Sequence, residues 1–535
     1  MNVCVTMPPV RDRLRRTWTK AAWLLVGTAL LAALSPAVRA SARGDVPARA
    51  LPARTAVPRA VAAADAPLAV RVTSTELGQP LPAGFLGLSL EYPAVEGYLG
   101  RDPNAPNPLF LALVRALNPG QSPILRIGGD STDASWWPVP GMQRPAGIKY
   151  TLTPRWLAVT RSLARALDAH LILGINLAAD SPALAADEAH ALLAGIGRRY
   201  VEALEIGNEA DVYSEFSWYQ TPLGQPVFAR QPSYDMGDYI GQFSRWRAAL
   251  PAVPLAGPAF AQSNWMPQLG SLLAAEPQLA IVTFHRYPLR ACEHDPTFAD
   301  FATIPNLLSD AAAAGLADGV APFVAVAHAA GRKFRVDELN SASCKGRAGV
   351  SNTFASAVWI LDTLFNLAAV GVDGVNIHTL PRARYAPFSF VHSRAGWRAR
   401  VRPLYYGMLM FARAFPAGAR LLSVQAPAGP LKAWATLAPD GRVRVVLINK
   451  DPARAARVTV QLPASPAPAP DAVSLERLSA PSPAATGSVS LGGESFGAST
   501  ASALLPASDD PAQLSPSSDG YLVSVPAGDA VMLTS

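Results

Sequence analysis

The chain has 535 residues, half of them hydrophobic and 16% charged, which excludes a disordered polymer and asks for one large domain plus a smaller one. Ten of its 46 Lys/Arg but only three of its 39 Asp/Glu fall within residues 1–66, so the net charge of +7 belongs to the N-terminal segment and the remainder nets zero. No charge argument for nucleic acid or an anionic membrane as partner survives that distribution.

In chain order, a basic stretch from Arg11 to Lys20 precedes an apolar run from Ala21 to Leu34, and Val38-Arg39-Ala40 fits a small-residue cleavage site loosely. Residues 1–40 therefore read as an export signal. The apolar run is shorter than the ~20 residues a spanning helix needs, so no stable membrane anchor is expected after cleavage; an uncleaved anchor is the alternative. Residues 41–66, rich in Ala, Pro and Arg, read as a linker. Residues 67–82 open with a strand pattern that is expected to pair into a sheet at the far end of the chain.

Residues 83–400 alternate short β-rich runs with helical stretches. The strand patterns are 85–91, 123–128, 170–176, 201–206, 253–258, 280–285, 333–338 and 373–378, the fifth being the least marked. Several are continuous apolar runs, as strands buried on both faces require, and helical patterns such as 154–168 and 353–370 lie between them. Eight such alternations predict an α/β fold, a (β/α)8 TIM barrel. The rival, an open doubly wound sheet, lacks a G-x-G-x-x-G turn after the first strand. Residues 401–535 change texture. Strand patterns at 431–437, 442–449, 457–462, 521–525 and 530–533, punctuated by Pro, Ser, Gly and Asp, predict a C-terminal antiparallel β-sandwich.

Of three cysteines, Cys4 falls in the signal. Cys292 and Cys344 remain, an even pair that in an oxidising compartment implies one disulfide; two unrelated thiols are the alternative.

The C-terminal ends of parallel barrel strands face the active-site mouth, and here they are polar: Glu91, Arg126 with Asp130, Asn176, Asn208-Glu209, His285 with Tyr287, Asp337-Glu338 and His378. Burying such groups is costly unless they are paired, so their convergence points to a site. Glu209 ends strand four in Leu204-Glu-Ile-Gly-Asn-Glu209, and Glu338 ends strand seven in Phe334-Arg-Val-Asp-Glu338. Cleaving a glycosidic bond needs one protonated acid beside the leaving oxygen and one ionised carboxylate below the anomeric carbon. Opposed strands of one barrel mouth can supply both, with Glu209 as acid/base and Glu338 as nucleophile; salt-bridged rim residues are the bland alternative. Asn208, one residue before the acid, is placed to bind a sugar 2-hydroxyl. His285 and His378 lack any metal-ligand spacing, and no metal or other cofactor is expected. No G-x-S-x-G elbow supports serine chemistry. Trp136-Trp137 and Trp218-Tyr219 read equally as sugar-stacking platforms and as loop packing.

These residues resemble glycoside hydrolase family 79, the clan A family that holds bacterial β-glucuronidases and heparanases. Leu86-Gly-Leu-Ser-Leu-Glu91 is similar to its first barrel strand, Leu125-Arg-Ile-Gly-Gly-Asp130 to its second, His285-Arg-Tyr-Pro288 to its sixth, and Val336-Asp-Glu-Leu-Asn-Ser341 to its nucleophile segment. Pro403-Leu-Tyr-Tyr-Gly407 is similar to its run into the C-terminal β-domain. The resemblance implies that Glu209 is the acid/base, Glu338 the nucleophile and Tyr287 the strand-six tyrosine beside it. It also implies that Glu91 and Asp130 hold sugar hydroxyls, and that Tyr385 and the backbone of Gly346 bind a uronate carboxylate. The loop Ser341-Ala-Ser-Cys-Lys345 departs from the family's usual residues, and Lys345 reads either as a point charge for a uronate or, in preference, as a solvated loop lysine. The resulting expectation is a monomeric exo-β-glucuronidase, secreted or periplasmic, acting on uronate-bearing glycans or glycosides. The alternatives are another clan A specificity (β-xylosidase, β-glucosidase, endo-glucuronidase) or a carbohydrate-binding protein without catalysis.

Overall fold

The computed structural model describes residues 66–463, 472–506 and 512–535. The export signal, the linker up to residue 65 and Cys4 lie outside the described residues.

Eight parallel strands close into a barrel: Leu86–Glu91, Ile124–Gly128, His170–Ile175, Val201–Ile206, Leu255–Phe260, Leu279–Arg286, Lys333–Leu339 and Gly374–Thr379. Each expected strand is present, with ends shifted by up to two residues. The ring closes where strand eight returns to strand one, Val375 pairing with Leu86, and strands four and five meet at Leu204 and Leu255. The fifth strand was faint in the sequence because Gly257-Pro258 sits inside it: proline has no N–H for the ladder, and the pairing is irregular between Pro258 and Phe260.

Local chemistry explains the connecting helices. In Pro154–Leu167 the Thr153 hydroxyl accepts from the Trp156 N–H, Pro154 occupies the first turn, and Asp168 closes the end in the left-handed region. Helix Phe354–Ala369 is different, being apolar nearly all round. It needs to be, because it is covered by the barrel on one side and by the second domain on the other: Phe365 stacks on Trp434 at 5.4 Å between ring centres, and against Phe411 and Phe415 of the next helix.

That second domain is one ten-stranded, mostly antiparallel sheet. It curls around its own core of Val70, Val445, Val458, Val523, Val531 and their neighbours. Strand Leu68–Leu77, from the other end of the chain, lies within it, antiparallel to Arg420–Gln425 and parallel to Ala456–Gln461. The sheet thus contains one parallel pairing. Strands Arg420–Gln425 and Val473–Ser479, and the hairpin of Phe388–Ser393 with Gly396–Val401, were not read from the sequence. Mixed Arg, Ser and Leu content blurs the period-two alternation in them. Among the described residues no helix is long and apolar enough to cross a membrane.

Barrel and β-domain are also joined by a buried charge. Lys450 Nζ lies 2.9 Å from Asp362 Oδ2, both almost wholly buried, and also donates to Ser309 O. Removing one partner of a buried pair leaves an uncompensated charge, typically costing ~3–5 kcal/mol. Lys450→Met is therefore expected to lower the thermal midpoint by several degrees, whereas Lys432→Met, at the more exposed neighbouring pair with Asp310, should change it little. Differential scanning calorimetry of both variants checks this.

Candidate active site

The site is built around a guanidinium with no contact with solvent. Arg126, on the second barrel strand, donates Nε–H to Glu205 (2.7 Å), Nη1–H to Glu338 (2.6 Å) and Nη2–H to Asn208 Oδ1 (2.8 Å), with Asp337 3.2 Å from Nε. Glu205 and Asp337 are fully buried and the Glu338 side chain is 9% exposed. Desolvation would lower the charge on Arg126, but the three carboxylates outweigh it and raise its pKa well above the ordinary value.

A backbone irregularity brings two acids to the same place. On strand seven, three steps from Val336 to Leu339 face only two steps from Val375 to Ile377 on strand eight. This bulge lets the consecutive residues Asp337 and Glu338 both face inward, where regular pleating would send them to opposite sides. Glu338 accepts a further 2.7 Å bond from the Tyr287 hydroxyl, and His378 Nδ1 lies 3.4 Å away. Burial opposes its ionisation, but His378, His285, Arg126 and the Tyr287 bond prevail and hold its carboxyl below the usual range. Asp337 is pushed well up, by burial first and then by the charge of Glu205. For Glu205 burial works the same way, but Arg126 and a hydrogen bond with Asp337 overcome it and depress the pKa.

Glu209 stands across the mouth. Its backbone is in the left-handed region (φ 54°), rare for a residue with a side chain, and is pinned there by its N–H to Ala259 O at 2.9 Å. The preceding residue is pinned by Asp133, a buried carboxylate that accepts from Asn208 N–H, the Tyr213 hydroxyl and the N–H groups of Leu177 and Ala178. Glu209 Oε1 is 2.9 Å from His285 Nδ1. One oxygen of Glu209, one of Glu338 and a ring nitrogen of His285 all lie within 4.8 Å of one another. These three could ligate one cation, but Glu338 already has a buried cation at 2.6 Å. A divalent ion would have to compete with it.

The other expected residues distribute around this pair. Glu91 accepts Ser131 N–H at 2.8 Å and lies 3.6 Å from His378 Nε2; a Cβ on Gly129, whose φ is +77°, would come within 2.6 Å of its carboxylate. Asp130 is exposed at the mouth, beside the carboxylates of Glu91, Glu209 and Glu338. Lost hydration, then the charges of Glu91, Glu209 and Glu338, push its carboxyl up to about 8. Asn208 spends its oxygen on Arg126, leaving its NH2 for a ligand. Tyr385 packs 6.4 Å from Tyr287 and 6.0 Å from His378. Gly346 lies against the Tyr385 ring, but its N–H turns to Ser343 O at 3.2 Å, so binding a carboxylate through it requires that bond to open. Cys292 and Cys344 are joined in a disulfide that ties the loops after strands six and seven.

Asn176 is outside the site, its amide bonded to Ser135 O and Ala179 N–H. Trp136 and Trp218 pack in the loops, donating to Thr151 and to Asp133 O. Sequence reasoning missed Glu205 and Asp133. The available signal for Glu205 was an acid at an inward position of an otherwise apolar barrel strand.

A closed parallel barrel with paired glutamates at its mouth defines a glycoside hydrolase. Residues 433–532 match the model of the glycosyl hydrolase family 79 C-terminal beta domain, in support of the family-79 resemblance of the sequence. Among solved structures, a 4-O-α-L-rhamnosyl-β-D-glucuronidase from Fusarium oxysporum 12S superposes with a TM-score of 0.66 at 19% identity, covering 87% of this chain and 100% of that one. The GH51 arabinofuranosidase of Xanthomonas axonopodis pv. citri does so at 0.61 and 16% identity, covering 88% and 99%. At these identities the likeness is one of fold. No curated protein sequence matches the chain.

The raised Asp130 has a consequence for stability. Unfolded, this carboxyl loses its proton near pH 4; folded, it keeps it to about pH 8. The folded state therefore binds more protons across that window, and the residue's contribution falls as pH rises through it. Asp130→Asn should leave the melting temperature unchanged below pH 4 and raise it increasingly towards pH 8 and above. Thermal scans across pH check the sign.

Proposed function

We propose that the protein is a retaining exo-β-glucuronidase that removes terminal glucuronic acid from glycans or glycoconjugates by double displacement. The observation that carries the reading is the spacing of Glu209 and Glu338, oxygens within 4.8 Å. That fits the ~5–5.5 Å of retaining enzymes rather than the ~6.5–9.5 Å that leaves room for water in inverting ones.

In the first step Glu209 gives its proton to the leaving oxygen while a Glu338 oxygen forms a bond to the anomeric carbon, and the glycosidic bond breaks. Arg126 and Tyr287 keep Glu338 ionised and aimed for that attack. The ester so formed has no charge. In the second step Glu209, now ionised, takes a proton from water as the water oxygen bonds to the same carbon and Glu338 leaves. Glu91, Asp130 and the Asn208 amide are placed to hold sugar hydroxyls. Specificity for a uronate is supported by the family-79 domain, by a glucuronidase among the structural neighbours, and by Tyr385 beside Tyr287 and His378. Export is part of the proposal, supported by the Cys292–Cys344 bridge, and the enzyme is read as a monomer.

One observation favours a second reading. The engaged N–H of Gly346 removes one donor from the expected carboxylate pocket, which suits an uncharged sugar such as a xyloside or glucoside.

A panel of aryl glycosides on purified enzyme separates the two. Turnover of the β-glucuronide with loss of at least ~10³-fold in Glu338→Ala is the expected result. Preference for a neutral glycoside would favour the second reading, and no turnover of any member, or full activity in Glu338→Ala, would contradict both.

A further inference from the structure

Beyond residue 66 the charges balance in number but not in position. From Asp373 to Asp440 no acidic residue intervenes, and Arg382, Arg384, Arg394, Arg398, Arg400 and Arg402 crowd into the loop and hairpin that follow barrel strand eight. Five of them are exposed and Arg402 is half-buried. Among the described residues none of the six has an ion-pair partner. Their side-chain hydrogen bonds go to neutral atoms: Arg398 to the hydroxyl and carbonyl of Ser499 (3.0 and 2.9 Å), and Arg402 Nη1 to Ala383 O (2.7 Å). Burial lowers the Arg402 pKa, and the charges of Arg400 and Arg384 lower it further. Like charges at this density repel one another, and no acid of the chain answers them.

The hairpin sets these cations in a row. Strand Gly396–Val401 buries Ala399 and Val401, so Arg398, Arg400 and Arg402 share the opposite face, about 7 Å apart by the period-two geometry of a strand. Arg394 stands in the turn at the outer end. The platform is firm. Phe388 and Phe390 of the paired strand pack on Tyr98 and Phe110, and Ala399 is bridged to Thr500 of the β-domain. At its inner end the row reaches the active-site mouth, because the segment that Arg402 binds carries Ala383 and Tyr385, which cluster with Tyr287. Arg384 N–H also donates to Lys345 O at 2.8 Å, tying this loop to the one after strand seven.

We propose that the arginine hairpin after strand eight is a docking surface for an anionic polysaccharide, a chain of uronate- or sulfate-bearing sugars laid along the row so that its ends are held beside the mouth. A single file of cations at regular pitch suits charges that repeat along one chain, whereas a membrane presents a plane of them. Tethering a polymer at the rim raises the local concentration of its ends at the site. The contacts are solvent-exposed, so the grip weakens as salt screens them.

The inference deepens the proposed glycosidase function and rests on it for the identity of the partner, but its test reads binding without turnover. Inactivity of the wild type towards every aryl glycoside would sink that function and leave the binding result readable. The probe is a fluorescein-labelled heparin oligosaccharide, titrated with the full chain at low salt and followed by anisotropy. Arg394→Gln/Arg400→Gln should weaken its binding at least ~5-fold. Arg394→Lys/Arg400→Lys should keep most of the affinity, because exposed charge rather than a guanidinium fork makes the contact. Arg71→Gln/Arg457→Gln removes the same charge from exposed positions on strands of the β-domain and should leave binding unchanged. All these variants should hydrolyse an aryl glycoside at the wild-type rate. Absence of heparin binding in the wild type, an equal loss in the Arg71/Arg457 pair, or impaired aryl-glycoside turnover in the hairpin variants would each overturn the proposal. So would hairpin-dependent binding of a single-stranded oligonucleotide or of phosphatidylserine vesicles that matches or exceeds that of heparin.

Discussion

Arg126 is a charge held wholly out of water, which is tolerable only where opposite charge and hydrogen bonds surround it. Strand two supplies the cation, strand four Glu205 and Asn208, and strand seven Asp337 and Glu338. None of these acids would sit in a barrel core without it. Burial and the charges of their neighbours drive the three carboxyl groups apart: Glu338 and Glu205 are held below the usual carboxylate range, while Asp337 is pushed above it. A single buried cation thus sorts neighbouring acids into distinct chemical roles, and the reacting pair at the mouth inherits that order.

Geometry is held by the backbone as much as by charge. The strand-seven bulge turns two successive acids inward, and the left-handed conformation of Glu209 lifts it over the mouth. Asp133 ties four donors from the loops after strands three and four, and the disulfide ties those after strands six and seven. Loops fastened at this many points are preorganised for a transition state, so little binding energy goes into ordering them. The β-domain contributes from behind, covering an otherwise sticky helix at Phe365 and Asp362.

Much of this was legible in the sequence. Barrel strands buried on both faces announce themselves as apolar runs, and Glu91, Asp130, Glu209, Tyr287 and Glu338 stood out because polar residues end those runs. What stayed hidden depends on contacts between distant segments. Glu205 looks like any charged residue in Val201–Ile206 until the barrel closes and Arg126 meets it. The bulge at Asp337 leaves no mark in composition. The partner of the Gly346 N–H is set by the fold of its own loop, so the recognition expected there could not be checked from residue types. In the second domain, long-range pairing of Leu68–Leu77 was anticipated from position, whereas the parallel partner on its other side was not.

The central claim is that two glutamates at the mouth of this barrel are close enough for one to bond the sugar directly. Stereochemistry tests it most simply. Proton NMR of the first-formed product from an accepted aryl β-glycoside, before mutarotation, should show the β-hemiacetal. Initial release of the α-anomer would mean that water, not Glu338, attacks the substrate, and would contradict the account.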